Sequence, residues 1–112
     1  MDISEDRSSG MCVLRPKQAR LDASVASGLR DALIERISRG EQTIIIDMGE
    51  VTFIDSSALG ALIAAAKRLG PTGTIAVAAM ATPVAKLFTL TRMDRVFLVS
   101  NSVHDAVKAL AR

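Results

Sequence analysis

The apolar positions of this chain fall into two patterns: short unbroken runs, and stripes with steps of three and four residues. The runs read as strands. Met11–Arg15 (MCVLR) is the first, stopped by Pro16. Thr43–Met48 (TIIIDM) is the strongest, because three consecutive isoleucines fit a strand covered on both faces. Val51–Ile54, Thr74–Ala79 and Val96–Val99 are the others. The stripes read as helices. Leu21-Asp22-Ala23-Ser24 opens one that carries Val25, Leu29, Leu33 and Ile37, with Asp22 or Ser24 as its N-cap and Gly40 as its stop. Ser57–Leu69 is a second, with Leu59, Leu62, Ile63, Ala66 and Leu69 on one face and Gly70-Pro71 after it. Thr82-Pro83 reads as a cap followed by proline at the first helical position. Ser100 or Ser102 caps a last helix with Val103, Ala106, Val107 and Leu110 on one side. The alternation predicts an α/β sandwich with parallel strands and short connections. Ile44, Ile45, Ile46, Leu59, Leu62, Ile63, Val77 and Leu87 are expected in its core.

Composition narrows the class. The 112 residues suffice for one domain, expected to span 1–112, with the first ten or so a short edge strand or a flexible lead. Hydrophobic residues at 49% support one packed core, and no apolar run approaches the ~20 residues of a membrane span. The polar start MDISEDRSSG lacks a signal-peptide core, so a soluble, cytoplasmic protein is expected. The net charge of +2 is spread out, with one basic cluster, RPKQAR, at 15–20. With no Trp or Tyr and three Phe, little is available for base stacking, and nucleic-acid binding is not expected. Cys12, the one cysteine, lies in an apolar run and reads as a small buried hydrophobe. One Cys and one His, His104, do not make a typical zinc site. Neither the P-loop nor the dinucleotide fingerprint occurs, so an enzyme is not expected.

One short stretch carries candidate chemistry. In VTFIDSSALGALIAA (51–65) an apolar segment hands over to a helix through Asp55, Ser56 and Ser57. Ser56 would sit at the helix N-terminus, beside unpaired N–H groups and the positive end of the dipole, where a phosphate finds donors. From Ser56, helical steps lead to Gly60, Ala64 and Lys67, a face with little bulk on which a partner backbone could dock. Ser57 is rotated by about 100° and expected nearer the core. The same residues also fit plain capping by Asp55, with Gly60 and Ala64 packed on a neighbouring element. The residues alone leave both readings open.

This stretch resembles the signature of STAS domains, the anti-sigma-factor antagonist family: an apolar strand, then D-S-S or D-S-T, then G-L. The likeness extends over nearly the whole chain. RLDASVASGLRDAL (20–33) is similar to the family's "LDa" segment opening the first helix; TIIIDMGEVTF (43–53) resembles its central strand and turn, and TPVAKLFTLTRMDRVFLV (82–99) its third helix and last strand. Ala58, Ala19-Arg20 and Arg92 stand where the family often has glycine or a glycine-bearing turn. The resemblance implies a four- to five-stranded mixed sheet with about four helices, mainly on one side. It implies a non-enzymatic partner switch with no cofactor or metal. The unphosphorylated form would bind an anti-sigma factor that is also a serine kinase; phosphorylation of Ser56 would release it, and a PP2C-type phosphatase would reset it. Asp55, Ser57 and Asp22 would support the site, and Gly60, Ala64 and Lys67 would take the partner. The other reading of the resemblance is a constitutive subunit of a larger assembly, a lipid-transport ABC complex or a signalling scaffold.

Overall fold

A computed structural model describes residues 1–111. In chain order the elements are β1 (Ile3–Ser8), β2 (Met11–Pro16), β3 (Arg20–Leu21), α1 (Ala23–Ser38), β4 (Thr43–Asp47), β5 (Phe53–Ile54), α2 (Ser56–Leu69), β6 (Thr74–Ala78), α3 (Thr82–Leu90), a 3-10 turn (Met93–Arg95), β7 (Leu98–Ser100) and α4 (Val103–Leu110). Five strands form one sheet in the order β1-β2-β4-β6-β7, and β3 and β5 form a separate two-residue parallel ladder.

Strand alternation sorts side chains to the two faces of the sheet. Cys12, Leu14, Ile44, Ile46, Ile75 and Val77 point to the face covered by α1, α2 and α3, where Leu29, Leu33, Leu62 and Phe88 complete the main core. Met11, Val13, Ile45, Ala76 and Ala78 point to the other face, covered by α4 through Ala106. The triple isoleucine is therefore buried from both sides, as a central strand requires. Leu59, Leu62 and Val77 are buried as expected, whereas Ile63 and Leu87 are only half-buried. Phe88 and Phe97 meet edge to face at 6.1 Å. Burial pushes the Cys12 thiol up to about 11, so the residue packs as an inert hydrophobe.

The sheet is mixed rather than all parallel. β1 pairs antiparallel with β2, while β2–β4, β4–β6 and β6–β7 are parallel. Ser9 and Gly10 form the hairpin with positive φ at both residues (52° and 80°), the geometry of a type I′ turn. Ile3–Ser8 is thus an edge strand, and its charges are tied down. Glu5 accepts from Arg36 and Arg39 at 2.9 Å each, and Arg7 donates to Glu41 at 2.6 and 3.0 Å. Charged side chains on an edge discourage pairing with another chain. Several boundaries also move, and α2 begins at Ser56 rather than Ser57. Only Phe53–Ile54 of the expected strand 51–54 is paired, and it pairs with β3 outside the main sheet. The last strand is Leu98–Ser100. Thr82 is the first residue of α3 rather than its cap; Ala81 holds the cap position and offers no side-chain bond.

Candidate functional site

The two-residue ladder builds the site. Leu21 lies opposite Ile54, so the residues that follow, Asp22 and Asp55, come side by side. Each is extended and each caps the helix after it, α1 and α2 respectively. Two helix N-termini therefore emerge together at one pole of the molecule. Asp55 joins them. Its Oδ1 accepts from the N–H groups of Ser57 (3.0 Å) and Ala58 (3.1 Å), and its Oδ2 from that of Ala23 at the start of α1 (3.2 Å). Its own N–H donates to the Leu21 carbonyl at 3.1 Å. Asp22 is held more locally: its Oδ1 accepts from the Ser24 hydroxyl at 2.6 Å and the Ser24 N–H at 3.0 Å. Those bonds to Ser24 hold the Asp22 carboxyl below its ordinary value, with help from Arg20.

Ser56 is the first residue of α2 and is exposed. Its hydroxyl lies in the first turn of α2, where the helix dipole favours added negative charge. Ser57 is exposed as well, contrary to the expectation that it turns toward the core. The core side of α2 is taken by Ala58, Leu59, Leu62, Ala65 and Leu69. The 100° step carries Ser57 toward α1 instead, where small residues leave a gap. That gap is a shallow groove of about 280 Å³, lined by Ala26, Ser27 and Arg30 of α1 and by Ser57, Gly60, Ala61 and Ala64 of α2. The structure thus brings Ser57, Gly60 and Ala64 together with α1. Ser56, one residue before Ser57, and Lys67, further along α2, are exposed and lie outside the groove lining.

Gly60 is exposed on this face of α2. A Cβ built on it meets nothing within 4 Å, so no element of this chain packs there. A glycine inside a helix costs about 1 kcal/mol relative to alanine. Packing among the described residues does not account for that cost.

Two neighbours of the pole were not singled out by sequence reasoning. Phe53 is 38% exposed, on the opposite side of its strand from the buried Ile54. The Arg20 guanidinium lies 4.0 Å from the centre of its ring, and Arg20 Nε reaches Asp22 at 3.4 Å. Two-residue strands carry no readable period, so only the register of the ladder reveals this pair. The rest of the basic cluster is neutralised: Arg15 donates to the buried Asp47 at 2.7 and 3.0 Å, and Lys17 lies 3.8 Å from Glu50. His104 is exposed on α4, and Cys12 lies inside the sheet core. Among the described residues no helix is long and apolar enough to cross a membrane.

Comparison with known proteins bears on this arrangement directly. The family model of the STAS domain matches residues 2–106. The chain belongs to the STAS domain family. A STAS relative, BtrV of Bordetella bronchiseptica, which carries the provisional designation anti-sigma factor antagonist, is 24% identical over 110 residues, covering 97% of this chain and 94% of that protein. The crystal structure of an anti-sigma factor antagonist from Mycobacterium paratuberculosis matches with a TM-score of 0.90 at 22% identity, over 99% of this chain and 94% of that one. The Bacillus cell fate determinant SpoIIAA in its phosphorylated form matches with a TM-score of 0.72 at 18% identity, over 97% of this chain and 99% of that one. The STAS fold seen here is therefore the fold of anti-sigma factor antagonists, with its five-stranded mixed sheet and four helices.

Proposed function

We propose that this chain is an anti-sigma factor antagonist that works as a phosphorylation-controlled partner switch. The single domain, in the cytoplasm, is a substrate and binding partner rather than an enzyme. Unphosphorylated, it docks an anti-sigma factor that is also a serine kinase, using Ser56 and the α1–α2 groove around Gly60 and Ala64, with Lys67 at the far end. Transfer of a phosphoryl group to Ser56 adds a charge of about −2 at the rim. That charge would have to be desolvated for the partner to stay, so the complex separates. A PP2C-type phosphatase restores the first state.

The observation that carries this reading is the pairing of an exposed Ser56 at the start of α2 with a neighbouring groove, lined by Gly60, that none of the described residues fills. The existence of a phosphorylated form of SpoIIAA, a protein of the same fold, supports it. Asp55 supports the site by fixing the first turn of α2, and Asp22 and Ser57 by shaping its surroundings. Incubation with the cognate anti-sigma kinase and ATP, followed by mass spectrometry of the 51–68 region, tests it. One phosphate on Ser56 is the expected result; an unmodified chain contradicts it.

A further inference from the structure

The pole that carries Ser56 is acidic before any modification. Asp22 and Asp55 lie next to each other there, with Asp55 Oδ2 bonded to the residue after Asp22. A phosphate would be a third anion. The first basic residue along α1 is Arg30, eight residues from Asp22, or about 12 Å along the axis. The first along α2 is Lys67, about 16 Å from its start. Lys86 is exposed on α3, whose Pro83, Val84 and Leu87 share a cleft with Phe53. On the ladder itself the one cation is Arg20, directly opposite Phe53 in the register and three residues before Ser56 by its partner's count.

Arg20 is placed to move. Its side chain is 61% exposed, its contact with Asp22 is long at 3.4 Å, and its guanidinium rests on the face of Phe53. A dianionic phosphate holds a guanidinium through two parallel bonds, better than the single, long contact to Asp22.

We propose that Arg20 is the internal counter-charge for a phosphate on Ser56: on modification it leaves Asp22 and the Phe53 ring and binds the phosphate, uncovering Phe53. Arg20 is a positioning residue, and the inference rests on Ser56 as the acceptor. Modification would then act at the rim in two ways, by adding charge and by moving the cation that shields an aromatic surface.

The test installs phosphoserine at position 56 during translation, so it does not depend on any kinase. The phosphate is titrated by 31P NMR in the wild-type background and in Arg20→Gln, Arg20→Lys and Lys86→Gln. A nearby cation favours the dianion and lowers the second pKa of the phosphate, ordinarily near 6. The wild type is expected to titrate about half a unit below Arg20→Gln, the shift a solvent-exposed ion pair gives. Arg20→Lys should recover part of the shift and Lys86→Gln should leave it unchanged. The Phe53 ring resonances should move on modification in the wild type and not in Arg20→Gln. Circular dichroism checks that each variant folds. Equal phosphate titration in wild type and Arg20→Gln overturns the inference, as does a shift carried by Lys86. Failure of a kinase to modify Ser56 would count against the switch and would leave this measurement standing.

Discussion

Replacing Asp55 by alanine removes acceptors from two helices at once. The α2 cap alone, the pair of bonds to Ser57 and Ala58, is worth about 1 kcal/mol and up to ~2. The bond from the Ala23 N–H ties α1 to α2, and a charge-assisted bond of this kind adds about 0.5–1 kcal/mol where water takes over part of its role. Asp55→Ala is therefore expected to cost about 2 kcal/mol, a fall in Tm of roughly 8 °C for a domain of this size. Asp22→Ala loses a cap that serves α1 alone and should cost clearly less. Asp55→Asn keeps an oxygen for α2 but turns an amide donor toward the Ala23 N–H, so it should fall between the two. Urea denaturation followed by circular dichroism gives the ranking, and hydrogen exchange at Ala23 reports the bridge. If Asp55→Ala costs no more than Asp22→Ala and leaves exchange at Ala23 unchanged, Asp55 is an ordinary cap and the coupling of the two helix starts is refuted.

Three further outcomes follow from particular positions. Gly60→Ala should raise stability by about 0.5–1 kcal/mol in urea, since a Cβ there meets nothing, yet weaken partner binding at least tenfold in calorimetry; unchanged binding would remove the groove from the interface. Arg92 sits in the left-handed region (φ 60°), at about 1–2 kcal/mol for a side-chain-bearing residue, so Arg92→Gly should gain about 0.5–1 kcal/mol after the extra freedom of the unfolded chain is subtracted; a loss would mean that the Arg92 side chain does something the backbone strain conceals. Glu5 is held below its ordinary value of 4.5 by Arg36 and then Arg39, and Glu41 by Arg7. Both carboxyls bind fewer protons folded than unfolded, so their contribution is present above pH 4.5 and is lost as pH falls through the folded values; stability should drop there, and Glu5→Gln with Glu41→Gln should flatten the profile.

Much of the architecture was legible because burial leaves a period. Ile44, Ile45 and Ile46 announce a strand covered on both faces, and α4 is what covers Ile45. The stripes of α1 and α2 and the caps at Asp22 and Ser102 could be read from residue type and spacing. β1 was legible only as one of two alternatives, a short edge strand or a flexible lead, because ISEDRS carries charges on both faces and shows no apolar period. β3 and β5 are too short to carry a period, yet they set the site, by aligning Asp22 with Asp55 and Arg20 with Phe53. Ser57 was misplaced because helical rotation gives an angle but not the neighbour found there; α1 presents Ala26 and Ser27, and a groove results where a packed contact was expected.

The central claim is that a charge on Ser56 decides whether a partner stays bound. Calorimetry of the cognate anti-sigma kinase against wild type, Ser56→Ala and Ser56→Asp, each first mapped by mass spectrometry after exposure to kinase and ATP, tests it most directly. Ser56 is exposed at the start of α2, so both variants should fold. The account predicts phosphate on Ser56 of the wild type, persistent binding of Ser56→Ala in the presence of ATP, and weaker binding of Ser56→Asp by at least tenfold. Equal affinity for all three, with no phosphate on Ser56, would contradict it and favour a constitutive subunit of a larger assembly.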